Sequence, residues 1–108
     1  MGAARLFVVR LIATSTLREF WLKHPDAEPS LSAWAAEASR AKWADTSDVK
    51  ARYATASFVG KNRVIFNIAG NKYRLVVAMR YAEGIAYVCF IGTHAEYDAI
   101  DPETVRNY

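Results

Sequence analysis

Between Val49 and Ala82 the chain carries seven basic side chains, Lys50, Arg52, Lys61, Arg63, Lys72, Arg74 and Arg80, and no Asp or Glu. The chemistry open to such a run is the binding of a polyanion, and nucleic acid is the commonest polyanion in a cell. Residues 1–48 hold six basic and six acidic groups and residues 83–108 hold one and five, so the formal charge of +3 arises in the centre. The acidic end is expected to limit non-specific binding, or to cover the centre until displaced. Two groups suited to proton transfer follow the basic run. His94 and Tyr97 are three residues apart, on one face of any helix that forms there. Histidine titrates near neutrality, and a phenol either stacks on a base or gives up a proton.

Several chemistries are disfavoured by inventory. His24 and His94 lie far apart, and neither belongs to a cluster of metal-ligand spacing. There is no Gly-rich phosphate loop and no G-x-S-x-G elbow, and His94-Ala95-Glu96 has no P-C-x-x-C to make a zinc-deaminase pairing of it, so neither a metal nor a cofactor is expected. With 108 residues, 53% of them apolar, the chain can fill one core and reads as one domain over residues 1–108. Cys89 is the single cysteine and has no internal disulfide partner, which suits a reducing cytoplasm. No apolar run approaches the length of a membrane span, the start lacks a secretory h-region, and Leu6 occupies the position where a myristoylation signal needs Ser or Thr. A soluble cytoplasmic protein without a membrane partner is the expectation.

The elements that must position these groups read as α+β. Leu6 to Ile12 is a β-branched run that suits a strand. Thr16 and Glu19 form a capping box, and Leu17, Phe20 and Trp21 recur at helical spacing until Pro25. A second helix runs from Pro29 or Ser30 to about Lys42 with an apolar stripe of Leu31, Trp34, Ala35 and Ala38. Thr46, Ser47 and Asp48 are cap-type residues before a helical turn over Val49 to Tyr53. The remainder reads as antiparallel sheet: strands Ala56 to Val59, Arg63 to Ala69, Lys72 to Arg80 and Ile85 to Ile91, with turns at Gly60–Asn62, at Gly70–Asn71 and at Tyr81–Gly84. Thr93 and Glu96 form a capping box for a short last helix that starts with His94.

Register decides which groups share a face. With Gly70 and Asn71 as a two-residue loop, Ala69 faces Lys72, Asn67 faces Arg74, Ile65 faces Val76 and Arg63 faces Ala78. Val64, Phe66, Ile68, Tyr73, Leu75, Val77 and Met79 then form the core side under the two helices. A one-residue slip would drive Lys72 and Arg74 into the apolar layer, at about several kcal/mol for unpaired charges. The exposed face is expected to offer Arg63, Asn67, Lys72, Arg74 and Arg80 to RNA, with Tyr87 and Cys89 beside them and with His94 and Tyr97 over the rim.

The segments Phe66-Asn67-Ile68-Ala69-Gly70-Asn71-Lys72-Tyr73-Arg74-Leu75-Val76-Val77 and Gly92-Thr93-His94-Ala95-Glu96-Tyr97-Asp98 resemble the HigB family of bacterial type II toxins, as does Ser15 to Trp21 with His24-Pro25. The resemblance covers nearly everything after about Val9, and residues 1–8 read as an N-terminal extension ahead of the usual family start. It implies a RelE-like fold, two N-terminal helices on a curved antiparallel sheet with a short C-terminal helix. It also implies an mRNA interferase, an endoribonuclease that cuts messenger RNA typically on the ribosome, and a HigA-type helix-turn-helix antitoxin as partner.

Metal-free cutting of RNA needs a group to take the 2′-OH proton, donors on the phosphorane and a proton for the 5′ oxygen. Arg74 is the expected phosphate clamp, because a mid-sheet guanidinium is held rigidly and can grip two oxygens. His94 is the expected proton carrier, and Tyr97 stacks on a base or gives a proton. Asn67 orients Arg74 or touches RNA, Lys72, Arg63 and Arg80 position the strand, and Asn71 serves the turn. Two rivals stand beside this reading. RelE-like toxins without the basic set act on DNA gyrase, and a non-catalytic module would use Tyr87 and the arginines as a stacking platform.

Overall fold

The computed structural model describes residues 10–60 and 62–106. The expected extension over residues 1–8, the first part of the Leu6–Ile12 strand and Lys61 lie outside the described residues. Strands β1 (Arg10–Ile12), β2 (Ser57–Val59), β3 (Arg63–Ile68), β4 (Tyr73–Arg80) and β5 (Ile85–Thr93) form one sheet in the order β1-β5-β4-β3-β2. Helices α1 (Thr14–Lys23), α2 (Glu28–Ala38), α3 (Thr46–Arg52) and α4 (His94–Asp98) complete the fold, and none is long and apolar enough to cross a membrane.

The β3–β4 pairing is the one the alternation of side chains dictates. Asn67 pairs with Arg74, Ile65 with Val76 and Arg63 with Ala78. Val64, Phe66, Ile68, Tyr73, Leu75, Val77 and Met79 are all buried in the main core, together with Leu17 of α1 and with Leu31, Trp34 and Ala38 of α2. Each large side chain so buried contributes roughly 1.5–3 kcal/mol, which makes this ladder costly to slip.

Helix boundaries depart from local signals where tertiary packing outweighs them. Helix α1 begins at Thr14, ahead of the Thr16 box, and its first turn is closed by the Thr16 amide donating to Ala13 O at 3.2 Å. Helix α2 stops at Ala38 instead of Lys42. The chain turns there so that Trp43, only 7% exposed, enters the core and stacks on Phe66 with ring centroids 6.2 Å apart. Helix α3 is capped by Asp45, whose carboxylate accepts from the Asp48 amide at 3.1 Å, so Thr46, Ser47 and Asp48 fall inside the helix.

Four features of the sheet correct the sequence reading. The sheet is mixed, because β1 pairs parallel with β5, Arg10 opposite Ile85 and Ile12 opposite Tyr87. Hairpin logic fixes only strands adjacent in sequence, and β1 is separated from β5 by most of the chain. The last β3–β4 pair is Ile68–Tyr73, so the loop is Ala69 to Lys72 rather than two residues, with positive φ at Ala69 (55°), Gly70 (68°) and Asn71 (106°). Strand β5 carries a bulge: Val76 pairs with Phe90 but Val77 with Val88, which leaves Cys89 as the extra residue. Cys89 and Phe90 both join a second apolar cluster with Ile65 and Val76, and burial pushes the Cys89 thiol up from its ordinary value.

The fourth correction concerns the face expected to be open. Tyr97, Ile100 and Val105 pack over Ile65, Val76, Cys89 and Phe90, and Tyr87 is half-buried against the same cluster. Arg63 is 9% exposed, and its guanidinium donates to Pro102 O at 3.2 Å and Val105 O at 2.8 Å. The physical reason is the apolar content of that face. Too large to leave wet, it is roofed by the end of the chain, and Arg63 satisfies the backbone carbonyls that the roof brings with it.

Two contacts hold the hairpin and the β5–α4 corner. The Asp26 carboxylate accepts from Tyr73 Oη at 2.7 Å and from Lys72 Nζ, which ties the hairpin to the 3-10 turn Pro25–Ala27. Gly92, opposite Arg74, has no room for a side chain: a Cβ there would lie 2.6 Å from Phe90 Cζ and 2.8 Å from Glu96 Oε1. Glu96 needs that space because its carboxylate accepts the Thr93 amide at 2.8 Å in the capping box of α4. Gly92→Ala should therefore lower stability by about 1–3 kcal/mol, the usual cost of overpacking. A chemical-denaturation midpoint equal to the parent's would show that the corner yields freely.

The hydrogen bond from Lys72, followed by that from Tyr73, holds the Asp26 carboxyl below its ordinary value. A depressed carboxyl contributes its stability above its unfolded value and loses it as pH falls through the folded one. The tie should therefore persist at neutral pH and be lost well below pH 4. Carboxyl-carbon NMR should place the Asp26 midpoint below that of an exposed aspartate and restore slow exchange of hairpin amides as it ionises; an ordinary midpoint would remove the tie.

Candidate nucleic-acid interface

Arg74 is the second residue of β4 and projects from the sheet face opposite α1 and α2, as the alternation of the strand requires. Its half-buried guanidinium donates through Nη1 to Asn67 Oδ1, the residue directly across the ladder. The Asn67 amide in turn donates to Thr55 O at 3.4 Å. On the other side the guanidinium carbon lies 5.7 Å from the centroid of the Tyr97 ring, a cation–π distance. Tyr97 is itself half-buried, tilted against Phe90 with centroids 6.5 Å apart. Arg74 Nε is buried and has no hydrogen-bond partner among the described residues.

His94 reaches the same corner through the register of β4 and β5. Thr93 lies opposite Tyr73 and Gly92 opposite Arg74, so the start of α4 abuts the hairpin loop. The exposed His94 ring bonds through Nε2 to Asn71 O. A carbonyl only accepts, so Nε2 carries the proton and the lone pair of a neutral ring lies on Nδ1. The spacing of residues 71 and 94 gives no hint of this contact, and Asn71 was expected to serve the turn alone. The signal that would have found it is continuation of β5 to Thr93, two residues past the expected strand end.

The structure thus brings Arg74, Asn67, Tyr97 and His94 to one corner. The other expected RNA contacts are placed elsewhere. Arg63 is spent on the C-terminal roof, as described above. Lys72 has left the ladder, and its ammonium pairs with Asp26, which holds it more firmly protonated than an ordinary lysine. Arg80 is six residues along β4 from Arg74, about 20 Å at roughly 3.3 Å per residue, and pairs with Glu83 at 3.5 Å. Arg52 pairs with Glu37. The field expected to be unrelieved is therefore relieved by carboxylates from outside the basic run. His24, the other histidine, stacks on Phe20 at 4.3 Å and meets the Tyr73 ring edge-on at 5.5 Å, packing against the core.

Among curated proteins no match is found. A family model described as HigB_toxin, the RelE-like toxic component of a toxin-antitoxin system, matches residues 27–100. That span runs from the turn before α2 to the second residue after α4 and contains every member of the Arg74 corner. An α+β fold on a five-stranded mixed sheet is consistent with a RelE-like toxin. The chain belongs to the HigB toxin family, the RelE-like toxic components of toxin-antitoxin systems, and an antitoxin partner follows from that membership.

Proposed function

We propose that this toxin is a metal-independent endoribonuclease that cuts messenger RNA on the translating ribosome, in the cytoplasm, and is neutralised by a HigA-type helix-turn-helix antitoxin. The observation that carries the reading is the seating of Arg74: one guanidinium fixed between the Asn67 carbonyl and the Tyr97 ring. A preoriented guanidinium stabilises charge building on phosphorus at little reorganisation cost. His94 beside it accepts the 2′-OH proton at Nδ1 while Asn71 O holds the other nitrogen. The 2′ oxygen forms a bond to phosphorus, the bond to the 5′ oxygen breaks, and the Tyr97 hydroxyl protonates the leaving oxygen. The products are a 2′,3′-cyclic phosphate and a 5′-hydroxyl end. A stacking platform built on Tyr87 loses its basis, because Tyr87 and Arg63 are drawn into the roofed cluster.

Arg74→Ala should slow cutting about 10²–10³-fold, the usual effect of removing one preorganised donor. Arg74→Lys should restore little, since an ammonium makes no bidentate contact. His94→Ala should likewise relieve growth arrest, with each variant still folded by circular dichroism and retained by antitoxin. Variants as toxic as the parent would dismiss these site residues, and DNA breaks with intact mRNA on induction would favour gyrase as target.

Cleavage is expected in extract that contains ribosomes, with cyclic-phosphate 3′ ends, and little on naked RNA. Equal cutting of both substrates would take the ribosome out of the mechanism, and 5′-phosphate products would rule out attack by the 2′ oxygen.

A further inference from the structure

Strand β2 pairs with the first half of β3, Ser57 to Val59 against Arg63 to Ile65, so among the described residues the stretch from Phe66 to Ile68 has no strand on its outer side. A groove occupies that edge, with Asn67, Gly70, Tyr53 and Arg52 in its walls. It adjoins a second groove between α2 and α3 whose walls include Arg40, Lys42, Arg52 and Trp43. The two share Ala33, Glu37 and Arg52, so they adjoin and make one channel along that edge, with the Arg52–Glu37 pair at their junction. One end of it is Asn67, the residue that holds Arg74, and the other is the pair Arg40 and Lys42.

The charge of this channel is one-sided. Its single carboxylate, Glu37, accepts from the Tyr53 hydroxyl and from Arg52 Nε, contacts that hold it below the ordinary range. Against it stand three exposed cations, Arg40, Lys42 and Arg52, with Ala33, Ala36 and Ala41 adding no bulk to the walls. Arg40 and Lys42 stand outside the basic run from Lys50 to Arg80, and they are joined to it by folding alone.

We propose that this channel carries the substrate RNA strand away from the cut, with its phosphates on Arg40 and Lys42. The inference rests on the nuclease reading and extends the RNA site from one guanidinium to a track several nucleotides long. Substrate RNA is favoured over other polyanions because the track begins at the residue that positions the phosphate clamp. Sequence-independent backbone contacts of this kind add affinity with length and with falling salt.

The test uses fluorescent 2′-O-methyl RNAs, which cannot be cut, of three and nine nucleotides, with the full-length parent and the Arg40→Ala/Lys42→Ala double variant. Arg52 is left in place because it holds Glu37 and lies 5.0 Å from the Tyr53 ring, so its loss would disturb the walls. The parent should bind the nine-mer more tightly than the three-mer. The double variant should bind both alike and lower the dependence of log affinity on log salt by about 1.4, at roughly 0.7 per phosphate contact of a single strand. Nine-mer binding with the parent's affinity and salt slope in a folded double variant would overturn the inference. So would unchanged nine-mer binding with lost co-sedimentation on ribosomes, which would assign the channel to the ribosome. Failure of the nuclease reading is seen separately, as three-mer binding that survives Arg74→Ala.

Discussion

The pairing of Asn67 with Arg74 across β3 and β4 is the constraint on which the remaining geometry depends. It is set by apolar alternation: seven core residues on the two strands share one side, and the helices bury them. With that ladder fixed, Asn67 has no other place than beside the guanidinium. The β4–β5 register then delivers Gly92 opposite Arg74 and Thr93 opposite Tyr73, which sets the first turn of α4 against the hairpin loop. The capping box at Thr93 and Glu96 fixes where that helix starts, and so where His94 and Tyr97 lie around it. A chemical corner assembled from residues 67, 71, 74, 94 and 97 thus follows from one hydrophobic pattern and one cap.

Legibility in the sequence followed the range of the physics. Register, core side and the last capping box were readable because each is decided by neighbours a few residues apart. The ends of α2 and the cap of α3 were not, since Trp43 reaches the core only by ending the helix early, and that preference belongs to Phe66 and Tyr53 far along the chain. The bulge at Cys89 was hidden for a related reason. Val88, Cys89, Phe90 and Ile91 are all apolar, so alternation carries no phase through them, and the shift shows only when Phe90 and Cys89 are found on one face. The parallel edge strand and the C-terminal roof depend on contacts between segments far apart in the chain, for which composition holds no signal.

The roof divides residues that looked equivalent. Arg63 and Arg74 occupy the same face of adjacent strands, in a stretch with no acidic neighbour. Arg63 lies where the chain returns, and its Nη1 donates to two backbone carbonyls of the roof. Arg74 lies at the roof's edge, where Tyr97 offers a ring rather than an acceptor, and its buried Nε–H has no partner among the described residues. The difference between a structural and a poised guanidinium is here a difference in what covers it.

Charge follows the same logic. Three cations of the acid-free stretch, Arg52, Lys72 and Arg80, meet Glu37, Asp26 and Glu83 from outside it. These pairs are exposed and contribute little stability. Their effect is on the field: they trim the positive potential at the hairpin and at the far end of β4, while the Arg74 guanidinium meets the neutral Asn67 amide and the Tyr97 ring. The positive potential of this surface is therefore set by where folding places the carboxylates rather than by the count of basic residues in one stretch of sequence.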